Sequence, residues 1–426
     1  MSGLWRNRDF QLLCAGQGLS QLGSQTSSVA IPLLVLRETG SPLAVGVVEA
    51  VWTTVQVAAF VPAGVIVDRY DRRAIMVSCD LGRLAATVAL AAALLTGSAS
   101  LTLFLLYCTV LGLLGAPFTA AGPAALREIV PGDGMVAAVS VLQARSQVTY
   151  ILGPMFGGLL YMVSPSLPLW FDVFSFAMSA LSIMALRTSL RVTATATAPT
   201  LAEAQAEATG RRRGMAGDLA TAARFLRSAR YLRRQILIAA LLKLAFDGLM
   251  LAIIIVASLR SASGLSIGVI IGLTSVGSLA GSLLAPRLNG RFAVRPMVIV
   301  ATLTCACLVP AMALTGDGLV LAALLAACSV LVTAASVLLA AQQVLMTPAE
   351  LQGRVHSAAN LVNFAFAPAG TVLAGWMLGV LPHAGVFLVF GAFLWAVALA
   401  DLVIPAAPPP AAPPPETREP TGLATT

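Results

Sequence analysis

The apolar residues of this chain fall in twelve runs, each long enough to cross a lipid bilayer, arranged as six, a gap of nearly fifty residues, and six more. The runs lie at about 10–36, 43–67, 74–96, 101–125, 136–163 and 168–187, then at about 235–259, 265–285, 294–316, 318–341, 355–380 and 384–404. Roughly 20 apolar residues span the hydrocarbon as a helix, which satisfies its own backbone hydrogen bonds where water cannot. The pattern predicts an all-α membrane protein of twelve transmembrane helices in two six-helix bundles. Charged residues make up 10% of the chain and hydrophobic ones 58%, so too little charge exists to cover a soluble domain.

The arginines test the count. With the N-terminus in the cytoplasm, alternate connections hold twenty-one of the cations, whereas the opposite side holds only Arg37 and Arg260. Arg83, Arg145 and Lys243, the sole lysine, lie within spans. Positive charge is retained on the cytoplasmic side, so both termini are expected there. Arg6 and Arg8 precede a run of about 27 residues that carries Gln17, Gln21 and Gln25, which reads as a first spanning helix rather than a cleaved leader. Arginines spread over the breaks between apolar runs report topology and exclude a nucleic-acid face.

Four regions follow: a first bundle over 1–188, a cytoplasmic connection over 189–234, a second bundle over 235–404 and a tail over 405–426. Within the connection, 192–210 is an Ala/Thr/Pro-rich linker. Residues 218–236 predict an amphipathic helix with Ala222, Phe225, Ala229, Leu232 and Ile236 on one face and Arg224, Arg227, Arg230 and Arg234 largely opposite. It is expected to lie on the inner leaflet against anionic headgroups. The tail, with eight prolines in 22 residues, reads as disordered. All six cysteines fall inside predicted spans, and His356 and His383 are isolated, so no metal or cofactor is expected. Abundant Ala, Gly and Arg with scarce lysine point to a GC-rich bacterial source.

One connection is more particular than a basic turn. Gly64-Val65-Ile66-Val67-Asp68-Arg69-Tyr70-Asp71-Arg72-Arg73 packs five charges into ten residues, with a glycine one helical turn before an aspartate. Gly64 admits a close backbone, and Asp68 can accept hydrogen bonds from a helix N-terminus or an arginine. Gly64, Asp68, Arg69, Arg72 and Arg73 resemble the loop signature between the second and third helices of the major facilitator superfamily of secondary transporters, which usually has glycine where Asp71 stands. In helix 5, Gly153-Pro154-Met155-Phe156-Gly157-Gly158 resembles the signature of that superfamily's drug–proton antiporters. Asp80 and Arg83, Phe171-Asp172 with Ser175-Phe176, and Gly353-Arg354-Val355 look like the bacterial efflux branch that includes macrolide and siderophore exporters. The resemblance covers roughly 5–404 and implies two six-helix repeats about a central cavity, in a monomer. It also implies that Asp68, Asp80 and Arg83 belong to an inner gate and that helices 1, 4, 7 and 10 line the cavity.

Ionisable groups inside a bilayer are expensive and mark function. Glu49, with Thr53 and Gln56 on its face, is either a proton carrier or a carboxylate paired with Arg37 near the outer mouth. Asp247 has Lys243 one turn earlier, which makes the pair structural glue or a switch released on protonation. Arg145 can answer a substrate carboxylate, Glu49 or Asp247. Gln17, Gln21 and Gln25 in helix 1, and Ser329, Thr333 and Ser336 in helix 10, are cavity contacts on the resemblance or interhelical hydrogen bonds.

These readings converge on a multi-pass protein of the bacterial cytoplasmic membrane. It is expected to export a small amphiphilic organic compound, a drug, antibiotic or siderophore-like molecule, by proton antiport and alternating access. An importer or uniporter is the first alternative, and a transporter-derived sensor or scaffold the second. An intramembrane enzyme would demand clustered aspartates or a His/Glu/Asp set, and the sequence has none.

Overall fold

A computed structural model describes residues 7–130, 134–188, 190, 229–260, 263–289, 294–315, 317–347 and 352–403. The first half comprises α1 (Arg8–Thr39), α2 (Pro42–Arg69), α3 (Arg72–Leu95), α4 (Leu101–Ile129), α5 (Met135–Val163) and α6 (Leu167–Met184). The second comprises α7 (Arg230–Leu259), α8 (Gly264–Asn289), α9 (Val294–Ala311), α10 (Gly318–Met346), α11 (Gln352–Val380) and α12 (His383–Val403). A short 3-10 turn, Met312–Leu314, follows α9. The helix boundaries follow capping chemistry. The side chain of Asn7 accepts from the Asp9 and Phe10 amides, Ser41 caps α2 ahead of Pro42, and Ser100 caps α4. Gly40, at φ 63°, ends α1 in the left-handed conformation that glycine adopts without strain.

Ten of the described helices are long and apolar enough to cross a membrane. The other two, α1 and α5, have 32 and 29 residues, and their apolar character is diluted by Gln17, Gln21 and Gln25 and by Gln143, Arg145 and Ser146. Leu106, Leu113, Leu181, Leu283 and Leu388 are exposed on the outside of the bundle, as a lipid-facing surface requires.

The packing repeats after six helices. In the first half α1 lies against α5 and α6, α2 against α4, and α3 against α4 and α6. In the second, α7 lies against α11 and α12, α8 against α10, and α9 against α10 and α12. The halves meet along α2–α11 and α5–α8, with a smaller α1–α7 contact. Both main seams are built on glycine. A side chain on Gly46 or Gly375 would strike the backbone of Thr371 or of Pro42 and Leu43, and one on Gly158 or Gly268 that of Gly264 or Pro154. These contacts lie toward the end opposite the α2–α3 turn with its arginines. Near the arginine-rich end the buried clusters separate. One, around Phe10, Ile75, Met76 and Ala125, belongs wholly to the first half, and one, around Leu232, Ile236, Val355 and Ala359, to the second. Among the described residues the halves are therefore in contact at the far end and separate at the arginine-rich end.

Each half is clasped at the arginine-rich end by the same device. Arg73, the second residue of α3, donates through Nη2 to the carbonyls of Leu186 (2.5 Å) and Thr188 (2.8 Å), just beyond α6. Arg295, the second residue of α9, donates to the carbonyls of Asp401 (2.6 Å) and Leu402 (3.5 Å) at the end of α12. A cation bonding the free carbonyls of a helix C-terminus satisfies both hydrogen bonding and the helix dipole.

The predicted amphipathic helix is corrected in part. Residues 218–228 lie outside the described region, as do the 192–210 linker and the 405–426 tail, but from Arg230 onward the chain already runs in α7. The second bundle thus begins five residues earlier than expected. Leu232 and Ile236 pack on Val355 and Ala359 of α11 instead of on lipid, and Arg234 pairs with the Asp401 carboxylate at 2.5 Å instead of facing headgroups. A buried carboxylate beside the helix offers a stronger and more permanent partner than a lipid phosphate.

Candidate functional site

A cavity of about 720 Å³ opens in the wall of the first half, within the range of ligand sites. Gln17, Gln21, Gln25 and Ser28 of α1 face it, with Glu49, Trp52 and Gln56 of α2 and Tyr107, Cys108 and Phe118 of α4. Gln143, Arg145, Ser146 and Tyr150 of α5 close one side, and Arg83, Asp172 and Phe176 line the wall near mid-membrane depth. All the residues lining it come from α1–α6. The amides of α1 are oriented from α5: the Ser146 hydroxyl donates to Gln21 Oε1 at 3.1 Å, and Arg145 Nη1 donates to the Cys14 carbonyl at 3.1 Å and to Gln17 Oε1 at 3.5 Å. The side chains that lower the hydropathy of α1 and α5 are the ones that build this wall.

The charged groups divide into three sets. Glu49 is half-buried against the cavity, and among the described residues no cation forms an ion pair with it. Asp247, across the interface on α7, lies within electrostatic reach of it. The expected alternative, a pair with Arg37, is not formed; Arg37 is exposed at the end of α1 and its charge lies beside Tyr161. Arg145 bonds only neutral acceptors, not Glu49 or Asp247, and its Nε is unpartnered. Lys243 grips both oxygens of Asp247, at 2.9 and 2.8 Å, and its ammonium stands 5.8 Å from the Phe364 ring centroid. The third set is a buried cluster in α3 and α6. Arg83 Nη2 meets Asp80 Oδ1 at 2.5 Å, and the guanidinium lies 4.1 Å from the Phe118 ring centroid and 4.7 Å from that of Phe176.

The loop signature behaves differently from expectation at two places. Gly64 is exposed, and nothing lies within 4 Å of where its side chain would be, so no backbone approaches it here. The reason is that the halves are apart at this end. Asp80 and Arg83 are about 12 and 16 Å along α3 from its first residue, too deep to belong to the loop itself. The Asp68 side chain lies outside those described, as does that of Arg354, and Arg69 is exposed. Arg72 pairs with Glu128 of α4 at 2.9 Å. Asp71, where the superfamily usually has glycine, accepts the Arg73 amide at 2.9 Å and so caps α3.

The helix-5 signature is a packing surface. Gly153 lies against the Gln25 side chain and Gly157 against the Thr26 backbone, while Gly158 meets Gly264 of α8. Pro154 is buried, and its carbonyl lies against Gly268. The α10 candidates are not brought to the cavity. Ser329 is fully buried and donates to the Leu325 carbonyl, Ser336 is exposed and donates to Val332, and Thr333 is half-buried. Sequence reasoning gave no site role to Asp172, Tyr107, Gln143 or Ser146. Asp172 carried a legible signal, a carboxylate three residues from Ser175 in an apolar run. It was obscured because it stands only five residues into α6.

Two packed six-helix halves, the first holding a cavity of mostly apolar walls with a few polar and charged side chains, define a membrane-embedded, multi-pass transport protein. The family model for the Major Facilitator Superfamily matches residues 13–368, and the chain belongs to that superfamily of secondary transporters. It is 32% identical over 186 residues to the multidrug efflux pump Tap of Mycolicibacterium fortuitum, covering 42% of this chain and 44% of that pump. It is 24% identical over 159 residues to the uncharacterized MFS-type transporter YkuC of Bacillus subtilis (strain 168), covering 37% and 36% of the two chains. The aligned regions thus span less than half the length of either curated relative. Among solved structures, the nucleoside transporter NupG superposes with a TM-score of 0.73 at 13% identity, covering 92% of this chain and 98% of that one. A bacterial homologue of the iron transporter ferroportin in an inward-facing state superposes at 0.68 with 16% identity, over 92% and 97%. At such identities the likeness is one of fold.

Proposed function

We propose that this transporter exports a small amphiphilic organic compound from the bacterial cytosol in exchange for protons. The observation that carries the reading is the cavity: aromatic and aliphatic walls with a few glutamine and serine side chains, and a carboxylate, Glu49, with no cation paired to it among the described residues. A sugar site would need a denser set of hydrogen-bonding partners, whereas a mixed wall suits a molecule with one apolar and one polar face. The local similarity to a multidrug efflux pump and the glycine signature of α5 support export. The arginine-rich end faces the cytosol by the positive-inside rule, so the cavity is open to cytosolic compound in this conformation.

Glu49 sits near the α2–α11 seam with Asp247 across it, where a proton removes the repulsion between two carboxylates that must approach. Exchange of the outer seal for an inner one, with Gly64 and the α2–α3 loop then in contact with the other half, gives alternating access by a monomer. The test is efflux of fluorescent amphiphiles in everted vesicles, with and without a collapsed proton gradient. Wild-type protein should accumulate the dye only with the gradient, and Glu49→Gln should lose that dependence while still binding dye. Gradient-independent entry that stops at equal concentrations would replace antiport with facilitated diffusion.

A further inference from the structure

We propose that Asp80, Arg83 and Asp172 form a proton-binding site inside the first half, distinct from Glu49. Asp80 and Asp172 are fully buried and Arg83 is 8% exposed. Arg83 is committed to Asp80 and held between the rings of Phe118 and Phe176. Asp172 receives only neutral donors: the Ser27 hydroxyl at 2.9 Å and the Ser175 hydroxyl at 3.2 Å. It lies within electrostatic reach of both Asp80 and Arg83. One guanidinium thus serves two carboxylates.

Among the described residues the surrounding helices supply no second cation. From α1 comes Ser27, and from α4 come the phenol of Tyr107 and the thiol of Cys108, both neutral. Toward α6, α5 presents Phe156, edge-on to Phe171, while its Arg145 is engaged at Gln17, about 15 Å along α1 from Ser27. On α2 the acidic Glu49 lies within electrostatic reach of Cys108. Fully ionised, the cluster would carry an uncompensated negative charge at a buried site, which proteins avoid by binding a proton.

Unsatisfied atoms collect at the same place. Asp80 Oδ2, Arg83 Nε, Tyr107 Oη and Ser179 Oγ are buried without a well-formed hydrogen bond, the Ser179 hydroxyl lying beside the Asp80 carboxyl and the Tyr107 phenol beside Thr87. A cluster with spare donors and acceptors can place its proton on either aspartate. With the proton on Asp172, Arg83 pairs with Asp80, as observed. With the proton on Asp80, Arg83 is free to turn to Asp172. Both arrangements are neutral. Because Asp172 and Arg83 line the cavity, the proton enters and leaves through it, one carboxyl O–H bond forming or breaking against solvent.

This deepens the proton-coupled reading and rests on it only for the claim that the bound proton is transported. The test is infrared difference spectroscopy of the full-length protein in lipid nanodiscs, following the C=O stretch of protonated carboxyl groups between neutral and strongly alkaline buffer. Asp172→Asn and Asp80→Asn should each remove one component, because the remaining aspartate pairs with Arg83. Arg83→Gln should double that component, and Arg83→Gln combined with Asp80→Asn should return it to wild-type amplitude. Glu49→Gln should leave it in place. A merely structural ion pair would give the same spectrum for wild type and Asp172→Asn, with no gain on losing Arg83, and either result overturns the site. The spectrum is independent of transport, so failure of the efflux assay and failure of this site are separate outcomes.

Discussion

Gly158 is where the seal between the halves can be forced. A Cβ added there would fall on the Gly264 carbonyl oxygen, 2.8 Å from the Gly264 carbonyl carbon and 3.2 Å from the Gly268 Cα. Carbon atoms prefer about 3.5–4.0 Å, so α8 must retreat by roughly 1 Å before even alanine fits. Backbone is met on the α8 side, so no side-chain rotamer relieves the clash. Overpacking of this kind costs about 1–3 kcal/mol. The strain acts only while α5 and α8 are in contact, so it shifts the sealed form against the open one by roughly 5–150-fold. Ser28, exposed on the cavity wall, reports the change when it is replaced by cysteine. In a chain retaining only that cysteine, an impermeant maleimide should reach it from the arginine-rich face in the wild type. In Gly158→Leu, labelling from the opposite face should rise at least about tenfold, with Gly158→Ala between the two. Gly379→Leu is the control, because nothing lies within 4 Å of its added carbon. Unchanged labelling in Gly158→Leu, or an equal rise in Gly379→Leu, would refute the claim that these glycines hold the far end shut.

Asp71→Ala should lose about 1 kcal/mol of stability through the missing cap of α3, seen as a lower midpoint in thermal unfolding in detergent, and Asp71→Asn should restore most of it. Arg145→Gln should fold normally, since its bonds go to neutral acceptors. It should lower kcat/KM for anionic amphiphiles relative to neutral analogues by roughly tenfold, as the loss of one charge-assisted hydrogen bond implies. An unchanged ratio would place the substrate's anionic groups elsewhere.

The number and class of the helices were legible because a bilayer imposes its thickness on sequence directly. Arginine placement adds an expected orientation, because positive charge is retained on the cytoplasmic side. The pair Lys243–Asp247 was legible too, since one helical turn brings those two side chains together whatever the surroundings. Partners distant in sequence were not. Nothing local announces that Arg234 belongs to Asp401, or that Arg72 belongs to Glu128, because only the bundle brings them together. The α10 serines show the opposite error. Ser329 and Ser336 have the spacing of a polar stripe, yet each bonds back to its own helix, which a hydroxyl in a bilayer does readily when no partner helix offers an acceptor. Gly64 exposes a third limit. A sequence lists close approaches made in any conformation, and a single structure holds only one.

The two halves share their mechanics and not their chemistry. The glycine seams obey the six-helix repeat: Gly46 against α11 is matched by Gly268 against α5, and Gly375 against α2 by Gly158 against α8. The arginine clasps obey it as well, Arg73 on the end of α6 and Arg295 on the end of α12. Such parts set how each half holds together and where it touches the other, so rocking between two seals demands them twice. A compound in the cavity has no twofold symmetry and demands nothing of the kind. Accordingly the glutamines of α1, Arg145, Glu49 and the Asp80–Arg83–Asp172 cluster all lie in the first half, while α7 of the second half contributes the Lys243–Asp247 pair. On the proposed function, recognition and proton coupling are then free to change by substitution within α1–α6 while the α2–α11 and α5–α8 seams stay as they are. That is the physical basis on which one fold can serve many substrates.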